Sequence, residues 1–92
     1  MAMLYSNMSV YMPSKSIYNP NYSILIASIQ EARVVAGLSQ KDLAKMLGVS
    51  QSTWSKIENG ERRIDLIELR QFCKCVKVDF LDFIKSVDKK MS

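Results

Sequence analysis

Four times along the chain the same short pattern recurs: an apolar residue, a small polar residue able to cap a helix, and a second apolar residue four positions after the cap. The instances are Leu38–Ser39–Leu43, Val49–Ser50–Trp54, Ile64–Asp65–Leu69 and Val78–Asp79–Phe83. A side-chain oxygen at the cap satisfies an amide that the first helical turn leaves orphaned, and the flanking apolar pair closes over it as a hydrophobic staple. At the third start, Glu68 stands three residues after Asp65 and completes a capping box. Upstream, from about Tyr22, the residues Ile24, Leu25, Ala27, Ser28, Ile29, Ala32 and Val35 are assigned to one broad helical face, and Gly37 supplies a left-handed stop. The pattern predicts an all-α fold of five helices.

The first stretch differs in kind. Residues 1–21 hold most of the methionines and tyrosines and both prolines, with Lys15 as the one charge, and they read as an arm preceding a domain over 22–88 and a short tail over 89–92. Within the arm Leu4, Met8, Val10 and Met12 alternate with Tyr5, Asn7, Ser9 and Tyr11, a period that suits an edge β-strand. Paired arms could bury the Leu4, Met8 and Val10 face in a two-chain ribbon. The alternatives are a frayed terminus or an upstream extension, since Met3, Met8 and Met12 could each start translation.

The stretch Leu38 to Gly60, LSQKDLAKMLGVSQSTWSKIENG, holds two of the predicted helices and the turn between them. Ala44 is small enough for a close helix crossing, and Gly48 suits the turn conformation that other residues resist. Leu43, Leu47, Val49, Trp54 and Ile57 supply the apolar faces of a helix-turn-helix. At about 100° per residue, Gln51, Ser52, Ser55, Lys56 and Asn59 fall on one arc of the second helix, away from Trp54 and Ile57. That arc carries no acid; Glu58 falls at its edge toward the core. Such a face suits base edges in a DNA major groove: Gln51 for adenine, Lys56 for guanine, Ser52 for a base edge or a thymine methyl. Phosphates would be met by the amides at the start of the preceding helix with Gln40, and by Arg62 and Arg63 with the nearby Asn59 and Gly60 amides.

Through this stretch the chain resembles the Cro/C1-type, or XRE-type, helix-turn-helix regulators. The glutamine opening each central helix and the Glu58–Asn59–Gly60 ending occur together at the right separation, and the likeness runs from about Tyr22 to Val87. The resemblance implies a lambda-repressor-like domain that binds a roughly palindromic operator as a homodimer. It implies base reading by Gln51, Ser52 and Lys56, phosphate binding by Gln40, and a buried ion pair between Arg33 and Glu58; the exposed arc adds Ser55 to the expected base-reading set, and the loop after the second helix adds Asn59, Arg62 and Arg63 to the expected phosphate contacts. Two positions depart from the family pattern: Ile64 stands where proline is common, and Lys77 where glycine is. A positive φ at Lys77 would carry strain of about 1 kcal/mol.

Composition narrows the remaining choices. A chain of 92 residues makes one small domain. A net charge of +4 suits a polyanionic partner without identifying one. There is no histidine, and Cys73 and Cys75 cannot form a four-ligand zinc site. The expectation is therefore a cytoplasmic DNA-binding regulator rather than an enzyme, without metal, cofactor or membrane span. A repressor is the simpler reading, because occupying a promoter is enough to block it. Phe80, Phe83, Ile84 and Val87 are expected to give the last helix a dimer contact. The rival readings are an antitoxin-like module that binds a protein partner and autoregulates through DNA, and a thiol enzyme or redox sensor built on Cys73 and Cys75.

Overall fold

The computed structural model describes residues 19–91, so the strand expected over Leu4 to Met12 lies outside the described residues. Five helices follow one another: α1 (Pro20–Val35), α2 (Gln40–Leu47), α3 (Gln51–Glu58), α4 (Leu66–Cys75) and α5 (Phe80–Lys90). The all-α expectation holds across these residues.

Helix α1 starts at Pro20, two residues before the expected Tyr22. The Asn19 side chain accepts the Asn21 amide at 2.7 Å, and Pro20 occupies the first turn, where its missing N–H costs nothing. Asn19–Pro20 is thus a helix start rather than the last of an arm. The buried side of α1 also differs from the expected face: Ile26 and Ile29 enter the core, whereas Ala27 is exposed and Val35 is 81% exposed. Apolar residues ring this helix, so periodicity alone does not say which stripe faces inward.

All four caps form as the sequence predicts. Ser39 accepts the Asp42 amide, Ser50 the Thr53 amide and Asp79 the Asp82 amide, each at 3.0 Å. Asp65 and Glu68 exchange backbone-to-side-chain bonds of 2.7 and 2.9 Å in the capping box. Gly48 turns the chain between α2 and α3 with φ of 73°, and Ala44 is buried beneath the crossing. The core is built on Trp54, stacked on Phe72 with ring centroids 5.4 Å apart, and on Phe83, which meets Phe72 edge-on at 6.1 Å. Leu43, Ile57, Ile29 and Cys73 fill in around them.

This packing corrects one expectation. Phe83 and Val87 are buried in the chain's own core, so they are not available to a second copy; of the four expected contact residues, Phe80 and Ile84 stay half-buried. Burial, with a smaller contribution from Asp79, pushes the Cys73 thiol up to about 11, and burial also raises Cys75. Neither thiol is poised as the thiolate that redox or nucleophilic chemistry needs.

Glu58, at the end of α3, is 2% exposed. Arg33 from α1 grips its carboxylate with Nε at 2.7 Å and Nη2 at 3.1 Å, Gln40 from α2 donates at 3.0 Å, and the Trp54 indole N–H donates from one turn earlier in α3. The Gln30 amide meets the Glu58 carbonyl at 2.9 Å, and Arg33 Nη1 reaches the Leu38 carbonyl at 2.8 Å. Burial alone would raise the Glu58 pKa, but the hydrogen bonds from Arg33, Gln40 and Trp54 outweigh it and hold the carboxyl below its ordinary value. The ion pair implied by the family resemblance is therefore the centre of a larger cluster.

Two outcomes follow. Because the folded-state pKa of Glu58 is lowered, its contribution is complete above the ordinary value of 4.5 and is lost as pH falls through the lower folded value. Glu58→Gln should cost about 3 kcal/mol near neutral pH, the low end for breaking a buried pair, since Arg33 keeps 15% exposure. In urea titrations at a series of pH values, the gap from wild type should close below pH 4.5. Separately, Lys77 takes a φ of 60°, the left-handed conformation expected if it fills the glycine position. Lys77→Gly should stabilise by about 0.5 kcal/mol, strain relief exceeding the added freedom of the unfolded chain. Lys77→Val should cost about 1 kcal/mol in the same assay.

Candidate nucleic-acid interface

Helix α3 has eight residues, and Trp54, Ile57 and Glu58 fix its rotation by facing inward. Gln51, Ser52, Lys56 and Asn59 are left exposed, with Ser55 half-buried beside them. The predicted arc is thus brought together, with Ser55 at its margin. Its one charge is the Lys56 ammonium, and its other groups are amides and hydroxyls, which can donate to or accept from base edges.

The expected phosphate contacts divide. Gln40 is half-buried, and its amide nitrogen is oriented by the Glu58 carboxylate, which can only accept. One of the two N–H groups of that nitrogen serves this bond. The Asn59 and Gly60 backbone amides, expected to stand near phosphate, close the end of α3 instead: Asn59 donates to the Ser55 carbonyl at 2.9 Å and Gly60 to Ile57 at 3.1 Å. The Asn59 side chain donates to Glu61 at 3.3 Å, which sets an acid beside the expected phosphate loop.

Arg62 and Arg63 are also unlike. Arg62 grips Glu68 through both terminal nitrogens, at 3.1 and 2.8 Å, and donates to the Arg63 carbonyl at 3.1 Å. The hydrogen bond with Arg62 holds the Glu68 carboxyl below its ordinary value, and the same bond raises Arg62. Since one Glu68 oxygen also accepts the Asp65 amide, Arg62 braces the start of α4. Arg63 is exposed on the loop next to it.

Two supporting residues escape the sequence reading. Gln30 secures the last carbonyl of α3, and the Tyr22 hydroxyl accepts the Ile64 amide at 3.2 Å. A proline at position 64 would lack that N–H, so the departure from the family pattern comes with a tie between α1 and the loop before α4. Nothing local in the sequence signals either contact, because the partners are 28 and 42 positions apart.

Among the described residues, no helix is long and apolar enough to cross a membrane. The helix-turn-helix family description matches residues 29–83. No curated protein sequence matches the chain. Among solved structures, an XRE-family like protein from Pseudomonas syringae pv. tomato str. DC3000 is 39% identical, covering 86% of this chain and 96% of its own, with a TM-score of 0.76. Two structures of the clp gene regulator ClgR from Corynebacterium glutamicum share the fold at 20% and 21% identity and TM-scores of 0.67 and 0.68. The first covers 76% of this chain and 74% of its own; the second covers 78% and 94%. Since the family description spans more than half of the chain and agrees with the helix pair already described, the chain belongs to the Cro/C1-type (XRE) helix-turn-helix family of DNA-binding transcription regulators.

Proposed function

We propose that the protein is a cytoplasmic repressor that binds a palindromic operator as a homodimer, placing α3 of each copy in successive major grooves about 34 Å apart. The observation that carries this reading is the exposed, acid-free face of α3, held in one orientation by the buried Glu58 cluster. Gln51 at the helix start and Lys56 one turn later read base edges, Ser52 fits against a neighbouring base, and Ser55 limits how closely the helix margin approaches. Gln40 uses its second N–H for a phosphate at the start of α2, and Arg63 meets a phosphate on the other flank. Arg62 serves the interface indirectly by keeping the loop and α4 in place. For the dimer, Phe80 and Ile84 with the 65% exposed Leu81 form the apolar part of the contact.

Selection of bound sites from random duplexes tests the whole reading, because it returns operator sequence, half-site spacing and symmetry together. Recovery of no enriched site, with no duplex binding at low salt, would overturn it. On the selected site, Gln51→Ala and Lys56→Ala should each weaken binding by about 1–3 kcal/mol and relax preference at one position of the half-site. Arg63→Ala should weaken binding to all sequences and reduce the slope of log affinity against log salt by about 1. Arg62→Ala should lower thermal stability and leave that slope nearly unchanged.

A further inference from the structure

Where the exposed arc of α3 ends, a hollow of about 230 Å³ opens between the end of that helix and the first half of α1. Asn59 and Gly60 form one wall and Tyr22, Ser23 and Gln30 the other, with Ile26 and Ala27 between them. Ser23 and Asn59 are exposed, so the rim is open to solvent. The hollow is smaller than the roughly 300–1,000 Å³ of pockets that enclose a whole small molecule, and none of its lining residues is an acid.

Its polar side chains are set up to donate. The Tyr22 hydroxyl accepts the Ile64 amide at 3.2 Å, and because that amide can only donate, the phenol's own hydrogen must turn elsewhere. Gln30 gives one N–H to the Glu58 carbonyl at 2.9 Å; a carbonyl can only accept, so the side-chain nitrogen is fixed there and carries a second N–H. Ser23 adds a hydroxyl at the rim. Asn59 donates one N–H to Glu61 at 3.3 Å and has another to give. The backbone amides of Asn59 and Gly60 are engaged in closing α3, so α1 supplies donors that the loop itself does not.

We propose that this hollow seats one phosphate of the DNA backbone, with Tyr22 and Gln30 as its principal donors and Ser23 and Asn59 at the rim. The proposal rests on the DNA-binding reading with α3 in the major groove. At 1.5 Å per residue, the eight residues of α3 span about 12 Å, close to the roughly 12 Å width of that groove. Residues just beyond its end therefore come to a backbone when its start reads bases. The non-bridging oxygens of a phosphodiester only accept, which matches donors whose directions are already set by Ile64 and Glu58. A free phosphate ion is a poorer occupant, because the donors are all neutral and Glu61 stands beside Asn59. A phosphodiester is instead delivered by the rest of the interface. Without a cation of its own, the contact fixes the position of the domain on the duplex and adds little to salt dependence.

The test replaces backbone phosphates of a bound duplex with neutral methylphosphonates, one position at a time. With the wild-type chain, substitution at one position flanking each half-site should weaken binding about tenfold, and with Tyr22→Phe the same substitution should cost no more than about twofold, the difference of one hydrogen bond to a charged group. Other sensitive positions should respond alike in both proteins. Ser23→Ala, a change at an exposed position, should reduce the penalty at that same phosphate, and it decides the matter if Tyr22→Phe does not keep the helical fold. Inorganic phosphate at millimolar concentration, without DNA, should leave the side-chain amide resonances of Gln30 in place. If both variants weaken binding to modified and unmodified duplexes equally, the two hydroxyls serve only the fold and the proposal is overturned, while the DNA-binding reading stands on the remaining sensitive positions. Saturable shifts of the Gln30 resonances with inorganic phosphate would assign the hollow to a free anion and overturn it as well. Absence of any duplex binding by the wild-type chain would remove the DNA-binding reading and this site with it.

Discussion

A carboxylate buried to 2% exposure can persist as an anion only if its surroundings replace the water it has lost, and Glu58 is surrounded accordingly. Its donors come from α1, α2 and α3, so the three helices cannot move relative to one another without leaving a charge unsatisfied. Helix α3 depends on this more than the others. At eight residues it is too short to hold helical structure by propensity, and a purely apolar face would tolerate small rotations. The fixed fork of Arg33 and the single donor of Trp54 do not. Trp54 also joins the polar cluster to the apolar core, since the ring whose nitrogen serves Glu58 stacks on Phe72. Replacing the pair by well-packed hydrophobic residues could match its stability, but the directional constraint on α3 would be gone.

The parts of the fold that could be read in advance are those whose cause lies within a few residues. Caps act over three positions and staples over five, so Ser39, Ser50, Asp65 and Asp79 announce their helices. The positive φ of Lys77 is legible only through the family likeness, which puts glycine at that position. The inward faces of helices depend on more distant causes. Apolar residues ring α1, so its periodicity puts Val35 inward, whereas the inner stripe through Ile26 and Ile29 is set by what α3 and α5 present to it. The volume of a core holding Trp54 and Phe72 is not visible in a linear pattern, which therefore leaves Phe83 and Val87 for a dimer contact; those two side chains are needed to complete the core.

The interface shows the same division. The exposed arc of α3 follows from helical geometry once Trp54 and Ile57 are known to face inward. Arg33–Glu58 was legible through the family likeness, whereas the convergence of Gln30, Gln40 and Trp54 on the same residue depends on tertiary approach. Two adjacent arginines look equivalent in sequence, yet the capping box that anchors Glu68 also turns that carboxylate toward Arg62. The result is a flank where Arg62 is tied to an acid and Glu61 stands close by.

Gln40 is where these two requirements meet. Its amide nitrogen has two N–H groups, one donated to Glu58 and one remaining for the proposed phosphate. In the proposed complex, accepting that second N–H would orient the amide plane and polarise the bond that already exists to Glu58. The same carboxylate sets the rotation of α3 through Trp54, so the proposed phosphate contact at the start of α2 and the proposed base-reading angle of α3 would share one charge. A lysine at position 40 could match the phosphate attraction, but its ammonium would add a second cation against Glu58 beside Arg33 and would lack the planar amide that links the two sites. The choice of glutamine is thus explained by geometry rather than charge.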